Sequence, residues 1–121
     1  MDDYSLYQAI MNKKPPEQLL DLPEWGVQIL CKALPAAHRV RIQLEALDQE
    51  KQIYDYSEHF YDAACHGCYN PETGNLIFKP EQESLFMTSG DIDGTPIEQL
   101  GLTVLSLSKL IKVKGEAAKN A

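Results

Sequence analysis

Apolar positions along the chain follow two periods, and the clearest run lies near the C-terminus. In "TPIEQLGLTVLSLSKLI", Ile97, Leu100, Val104, Leu107 and Ile111 recur at helical spacing and form one stripe. Thr95 can cap this helix, Pro96 occupies its first position and Glu98 completes a capping box. Such a stripe predicts a core helix rather than a cofactor face. A second helix is predicted in "LPAAHRVRIQLEALDQE", where Pro35 suits the first turn and Val40, Leu44 and Leu47 are spaced for one buried face. Its other face carries Arg39, Arg41, Glu45, Asp48 and Glu50.

Alternation takes over in "EWGVQILCKAL". Val27, Ile29 and Cys31 read as a strand, and Gly26 weakens the competing helical register through Val27, Leu30 and Leu34. Ahead of it, Leu6, Ile10 and Met11 mark a short N-terminal helix, which runs into Pro15, Pro16 and Pro23 as an irregular lead-in. Ser57 as N-cap, followed by Phe60, Tyr61, Ala64 and Cys65, predicts a further helix. "NPETGN" is a turn by its chemistry, since Pro71 fixes a backbone angle and Gly74 accepts positive φ. The "LIF" after it reads as a short strand that aims Leu76 and Phe78 at the core. Pro80 opens a short helix with Leu85 and Phe86 as its buried contacts and Gly90 at its exit. Together these elements give an α+β fold: a mostly helical single domain with a small antiparallel sheet or hairpin. Residues 1–21 form the N-terminal helix and lead-in, 22–111 the main domain, and 112–121 a flexible polar tail.

Composition narrows the function classes. A chain of 121 residues suffices for one domain with a real core. Eighteen acidic against eleven basic residues leave a formal charge of -7, which repels phosphate backbones and anionic lipid and argues against nucleic-acid and membrane binding. No apolar run approaches the roughly 20 residues of a membrane helix, and the acidic start "MDDYSLYQAI" lacks the pattern of a signal peptide, so the expected location is cytoplasmic. The odd count of three cysteines, Cys31, Cys65 and Cys68, argues against a disulfide framework.

Cys65 and Cys68 are the one pair with chemical spacing, for zinc or for redox exchange. A zinc site would need two more ligands from Cys31, His38 and His59, none paired at ligand spacing, and a Pro-Glu-Thr-Gly turn follows where a redox helix would begin. His38, His59 and His66 lack a nucleophile or orienting carboxylate at a telling spacing, and no hydrolase elbow, metalloprotease motif or phosphate loop is present. The residues therefore predict no enzyme, no cofactor and no metal. Trp25 is a candidate partner anchor, and Tyr54, Tyr56 and Tyr61 among acids mark a candidate contact surface; covering the core is the alternative for all four.

The order of the pieces is informative where single motifs are not. Pro23 to Gly26 ("PEWG"), Pro35 to Leu47, Asn70 to Phe78 ("NPETGNLIF") and Ile97 to Leu110, in this order and spacing, resemble the tail assembly chaperones of long-tailed bacteriophages and prophages. The resemblance covers most of residues 22–111. It departs at "ACHGC", where aliphatic residues are usual, and in the additional helical start.

The resemblance implies a chaperone without catalysis. Such a protein binds the tape measure protein, keeps that long apolar helical chain soluble, helps recruit tail tube subunits and is absent from the finished virion. It works in the host bacterial cytoplasm, and self-association is left open. Members of this family are often also made in a longer frameshifted form, and Ala118, Lys119 and Asn120 admit the codons GCA AAA AAC, which contain the slippery heptamer A AAA AAC. A polar terminus without that role is the alternative. The competing functions are a small thiol or metal protein using Cys65 and Cys68, and a generic acidic interaction adaptor.

Overall fold

The alternation around Ile29 produces the centre of a sheet. In the computed structural model, which describes residues 1–112, β1 (Glu17–Leu22) pairs antiparallel with β2 (Val27–Lys32), and β2 pairs with the two-residue β5 (Cys68–Tyr69). The strand order is β1-β2-β5. Leu22, Ile29, Cys31 and Cys68 point to the same side and are buried. Trp25 and Gly26 close the β1–β2 turn, with Gly26 at φ +66°. The second half of the lead-in predicted as irregular up to residue 21 is thus strand, and β1 runs across the boundary expected between 21 and 22. Prolines at both ends hid a strand whose Leu20 and Leu22 keep an inward period of two.

Among the described residues there are five α-helices. α1 (Asp3–Met11) forms where expected, with Asp2 accepting from the Ser5 amide at 2.7 Å, yet none of its residues is buried. α2 (Ala36–Ala46) buries Ile42 and Ala46, whereas Val40 and Leu44 are 50% and 69% exposed. The face predicted for burial therefore points outward: two apolar stripes lie about 200° apart on this helix, and packing selects the one with the smaller Ala46. β3 (Leu47–Asp48) and β4 (Ile53–Tyr54) follow as a two-stranded hairpin. α3 (Phe60–Gly67) starts three residues after Ser57, because Asp55 holds the Ser57 amide at 2.9 Å in a turn and His59 takes the N-cap position.

Asn70 to Asn75 form the expected turn, with Gly74 at φ +77° and the Asn70 side chain accepting from the Glu72 amide at 2.9 Å. Beyond it the "LIF" segment makes only a single bridge, Leu76 to Tyr69, and Leu76 is half exposed while Phe78 packs inward. One 3-10 turn (Pro80–Gln82) leads into α4 (Glu83–Met87), which turns Phe86 inward and leaves Leu85 47% exposed.

α5 (Thr95–Leu107) supplies the core stripe, with Ile97, Leu100, Val104 and Leu105 buried. The capping box does not form, because both the amide and the hydroxyl of Thr95 donate to Asp93 Oδ1, at 3.0 and 2.6 Å. The helix closes with a reversal at Lys109 (φ 62°), where the Leu110 amide reaches back to the Leu105 carbonyl and that of Lys109 to Ser106. Ile111, predicted as the last member of the stripe, therefore lies past the helix and packs against the core from the returning chain. α5 crosses α3 closely, with Gly101 against Phe60 and Gly67 against Val104. The expected frameshift segment Ala118 to Asn120, and most of the expected tail, lie outside the described residues.

Ser108 joins the end of α5 to the exit of β2. Its buried hydroxyl accepts from the Leu34 amide at 2.8 Å and donates to the Val104 carbonyl at 2.8 Å. Ser108→Ala leaves that buried amide without its acceptor, and the expected loss of unfolding free energy is about 1–2 kcal/mol. Urea denaturation checks this; an unchanged midpoint would mean that another acceptor replaces the hydroxyl.

Candidate functional site

The turn after β1 projects Trp25 beside a groove walled by the sheet on one side and by α4 and the first half of α5 on the other. Leu22, Val27, Ile29, Phe78, Phe86, Ile92, Pro96, Ile97 and Leu100 line it with Trp25, and its volume is about 420 Å³. Leu22, Ile29, Ile97 and Leu100 form the buried floor, each below 10% exposure. Trp25 is half-buried, and Val27 and Ile92 are exposed on the walls. Phe78 and Phe86 meet edge to face at 5.6 Å, and Phe86 stacks on Tyr61 at 5.5 Å, which fixes the aromatic wall. Asp91 and Asp93 are the charged residues of the lining. Both belong to the loop before α5, and an apolar trough with acidic groups on one side is suited to an apolar side-chain row with a basic flank.

The four aromatic residues singled out in the sequence part company here. Trp25 lines the groove. Tyr54 is 51% exposed on the β3–β4 hairpin and stacks on Tyr56 at 6.1 Å. Tyr56 and Tyr61 are core residues, at 8% and 1% exposure, and the Tyr61 hydroxyl donates to the Lys79 carbonyl at 2.7 Å. Neither presents a contact surface, because an alternating aromatic-acid sequence does not disclose which ring turns inward.

A polar cluster occupies another face. Arg41 on α2 grips Asp62 on α3 through two bonds, Nη1 to Oδ2 at 2.6 Å and Nη2 to Oδ1 at 2.9 Å. His66 Nε2 lies 3.5 Å from Asp62 Oδ1, and His59 Nδ1 lies 3.9 Å from Glu45 Oε2. The rings of His38 and His66 stack at 3.6 Å. Two histidines thus have the carboxylate neighbours that the sequence reading did not find, although Asp62 and His66 sit at the i, i+4 spacing of one helix turn. Glu45, His59 and Asp62 could together present a cation with ligand atoms within 4.8 Å of one another. Arg41 already bonds to both carboxylates, so a metal would have to compete with the guanidinium.

Burial opposes ionisation of Asp62, but the hydrogen bonds and charge of Arg41 outweigh it and hold the carboxyl below its usual value. Burial, then the neighbouring His38, pushes His66 below the ordinary histidine value of 6.5. A histidine with a lowered folded-state value binds protons more readily in the unfolded chain, so its contribution is whole above pH 6.5 and declines as pH falls below it. Asp62 stays ionised through that window, since its unfolded value of 3.8 lies lower still. Denaturation midpoints are therefore expected to fall between pH 7 and pH 5, by less in His66→Asn; equal slopes for the two proteins would remove the assignment.

Cys65 is buried and its thiol is pushed up to about 11 by burial and then by Asp62, so at neutral pH it remains protonated. Cys68, its partner in the sequence motif, faces Cys31 across the sheet.

No family model matches the chain, and no curated protein matches it either. Among solved structures, the bacteriophage HK97 tail assembly chaperone has a similar fold, at a TM-score of 0.51 and 18% identity, covering 93% of this chain and 98% of that one. At this identity the likeness is one of fold.

Proposed function

We propose that this chain is a tail assembly chaperone of a long-tailed bacteriophage or prophage. In this reading it binds the tape measure protein, keeps it soluble and helps to bring tail tube subunits to it. The observation that carries the reading is the fold shared with the HK97 chaperone over almost the full length of both chains. The order of the sequence segments, from the Pro-Glu-Trp-Gly turn to the last helix, points the same way.

The groove beside Trp25 gives the reading a physical means. An apolar helical segment can lay its i, i+3, i+4 side chains over the Leu22, Ile29 and Leu100 floor and against the Trp25 ring. The formal charge of -7 then keeps the complex dispersed. The work is done by surfaces and needs no catalytic group. It takes place in the host cytoplasm before the virion is complete; among the described residues no helix is long and apolar enough to cross a membrane.

Co-expression with the tape measure protein of the same genome tests this. The expected result is a soluble tape measure protein that co-purifies with the chain, and an affinity weakened about tenfold or more by Trp25→Ala, as for an aromatic anchor at a binding hot spot. An insoluble tape measure protein beside a folded chain would favour a generic acidic adaptor.

A further inference from the structure

We propose that Cys31 and Cys68 are a peroxide-responsive thiol pair, which closes into a disulfide between β2 and β5. The sequence draws attention to Cys65 and Cys68, but the fold joins Cys68 to a cysteine far away in the chain. Cys31 and Cys68 are direct partners in the antiparallel register. Opposed residues in such a ladder have Cα atoms about 4.5–5.5 Å apart, inside the range of about 4.4–6.8 Å that disulfides span. Both side chains lie on the inner side of the sheet with no exposed surface, at directly paired positions of β2 and β5. The neighbouring Cys68 lowers the pKa of Cys31, while Cys31 and burial push Cys68 up, an asymmetry that favours Cys31 as the first nucleophile. Cys65 sits in a separate apolar cluster with Tyr61 and Ile97.

The chemistry balances with a hydroperoxide as oxidant. The Cys31 thiolate attacks the terminal oxygen, the O–O bond breaks, an S–O bond forms, and the departing oxygen takes up the proton that the Cys31 thiol released, leaving as an alcohol, or as water from hydrogen peroxide. Cys68 then attacks Sγ of the Cys31 sulfenic acid, an S–S bond forms, the S–O bond breaks, and hydroxide leaves with the Cys68 proton as water. Two electrons pass from the sulfurs to the peroxide. Access for the oxidant requires a local opening at β5, a two-residue strand held by β2 on one side and by a single bridge to Leu76 and the Ile77 amide on the other. The bond would fasten that strand, and with it the end of α3, to the centre of the sheet. This inference is independent of the assembly role.

The experiment is treatment of the folded full chain with hydrogen peroxide, blocking of residual thiols with iodoacetamide, and peptide mapping without reduction. A Cys31–Cys68 cross-linked peptide is expected, reversed by dithiothreitol, together with a melting temperature raised by about 10 °C. Cys65→Ser should retain the link and Cys31→Ser should lose it. If Cys31→Ser fails to fold, the map of the unaltered chain and that of Cys65→Ser decide. A Cys65–Cys68 link, a link between two chains, or three reduced thiols after exposed methionines have oxidised would each overturn the proposal.

Discussion

Leu100→Ala is expected to lower the unfolding free energy by about 3 kcal/mol, within the range for truncating a buried leucine. Leu100 has no exposed surface and belongs to the core cluster of Val104, Ile42 and Ala64. It meets that cluster from α5, whose other contacts hold the helix in place, so the vacated space would close only partly. The same residue forms part of the groove floor. Urea denaturation should show the loss, and the proposed binding of a tape measure protein should weaken in the fraction that remains folded. Trp25→Ala, half-buried at the rim, should impair binding with a much smaller loss of stability. If the two variants lost stability equally, the Trp25 ring would be part of the core and the groove would lose its proposed anchor.

Gly101→Ala is expected to cost about 2 kcal/mol, even though alanine is the better helix former by about 1 kcal/mol. A Cβ at this position would stand 2.6 Å from Phe60 Cβ and 2.7 Å from both its Cα and its carbonyl oxygen. Two of those atoms are backbone at the start of α3, which cannot rotate away. The helices would have to part, disturbing the nearby contact of Gly67 with Val104. Thermal and urea unfolding of the variant give the sign directly. A stabilised variant would show that helix propensity decides at this position and that α3 can shift without penalty.

Much of this architecture was legible where local chemistry and packing agree. The α5 stripe has helical spacing and a proline at its start, and Ile97, Leu100 and Val104 are buried as that pattern requires. Val27, Ile29 and Cys31 alternate, and Gly26 needs the positive φ that a turn supplies. Legibility ended where two readings had equal local merit. α2 carries Val40 and Leu44 on one side and Ile42 and Ala46 on the other, and only the position of the sheet and α3 selects between them. β1 was obscured because Pro15, Pro16 and Pro23 are strong local signals that permit a strand between them.

The groove was half visible. Trp25 is conspicuous as the single tryptophan, but Phe86, Ile92 and Leu100 come from segments more than fifty positions away and no local pattern unites them. The Cys31–Cys68 pairing depends likewise on strand register, which a sequence spacing of Cys-x-x-Cys cannot announce. In the polar cluster, Asp62 and His66 were readable as helix neighbours, whereas the grip of Arg41 on Asp62 required α2 and α3 to meet.

The prolines that concealed β1 have a further effect. Among the described residues β1 pairs with β2 alone, so its outer side presents backbone donors and acceptors to any passing extended chain. Pro15 and Pro16 before the strand and Pro23 after it have no N–H to offer, and the exposed Glu17 and Asp21 bring charge to the strand itself. A recruited strand could not extend past either end of this short ladder. The strand is thereby guarded against polymerising with its own kind or with partly unfolded chains around it, a safeguard that the proposed handling of an adhesive client would require.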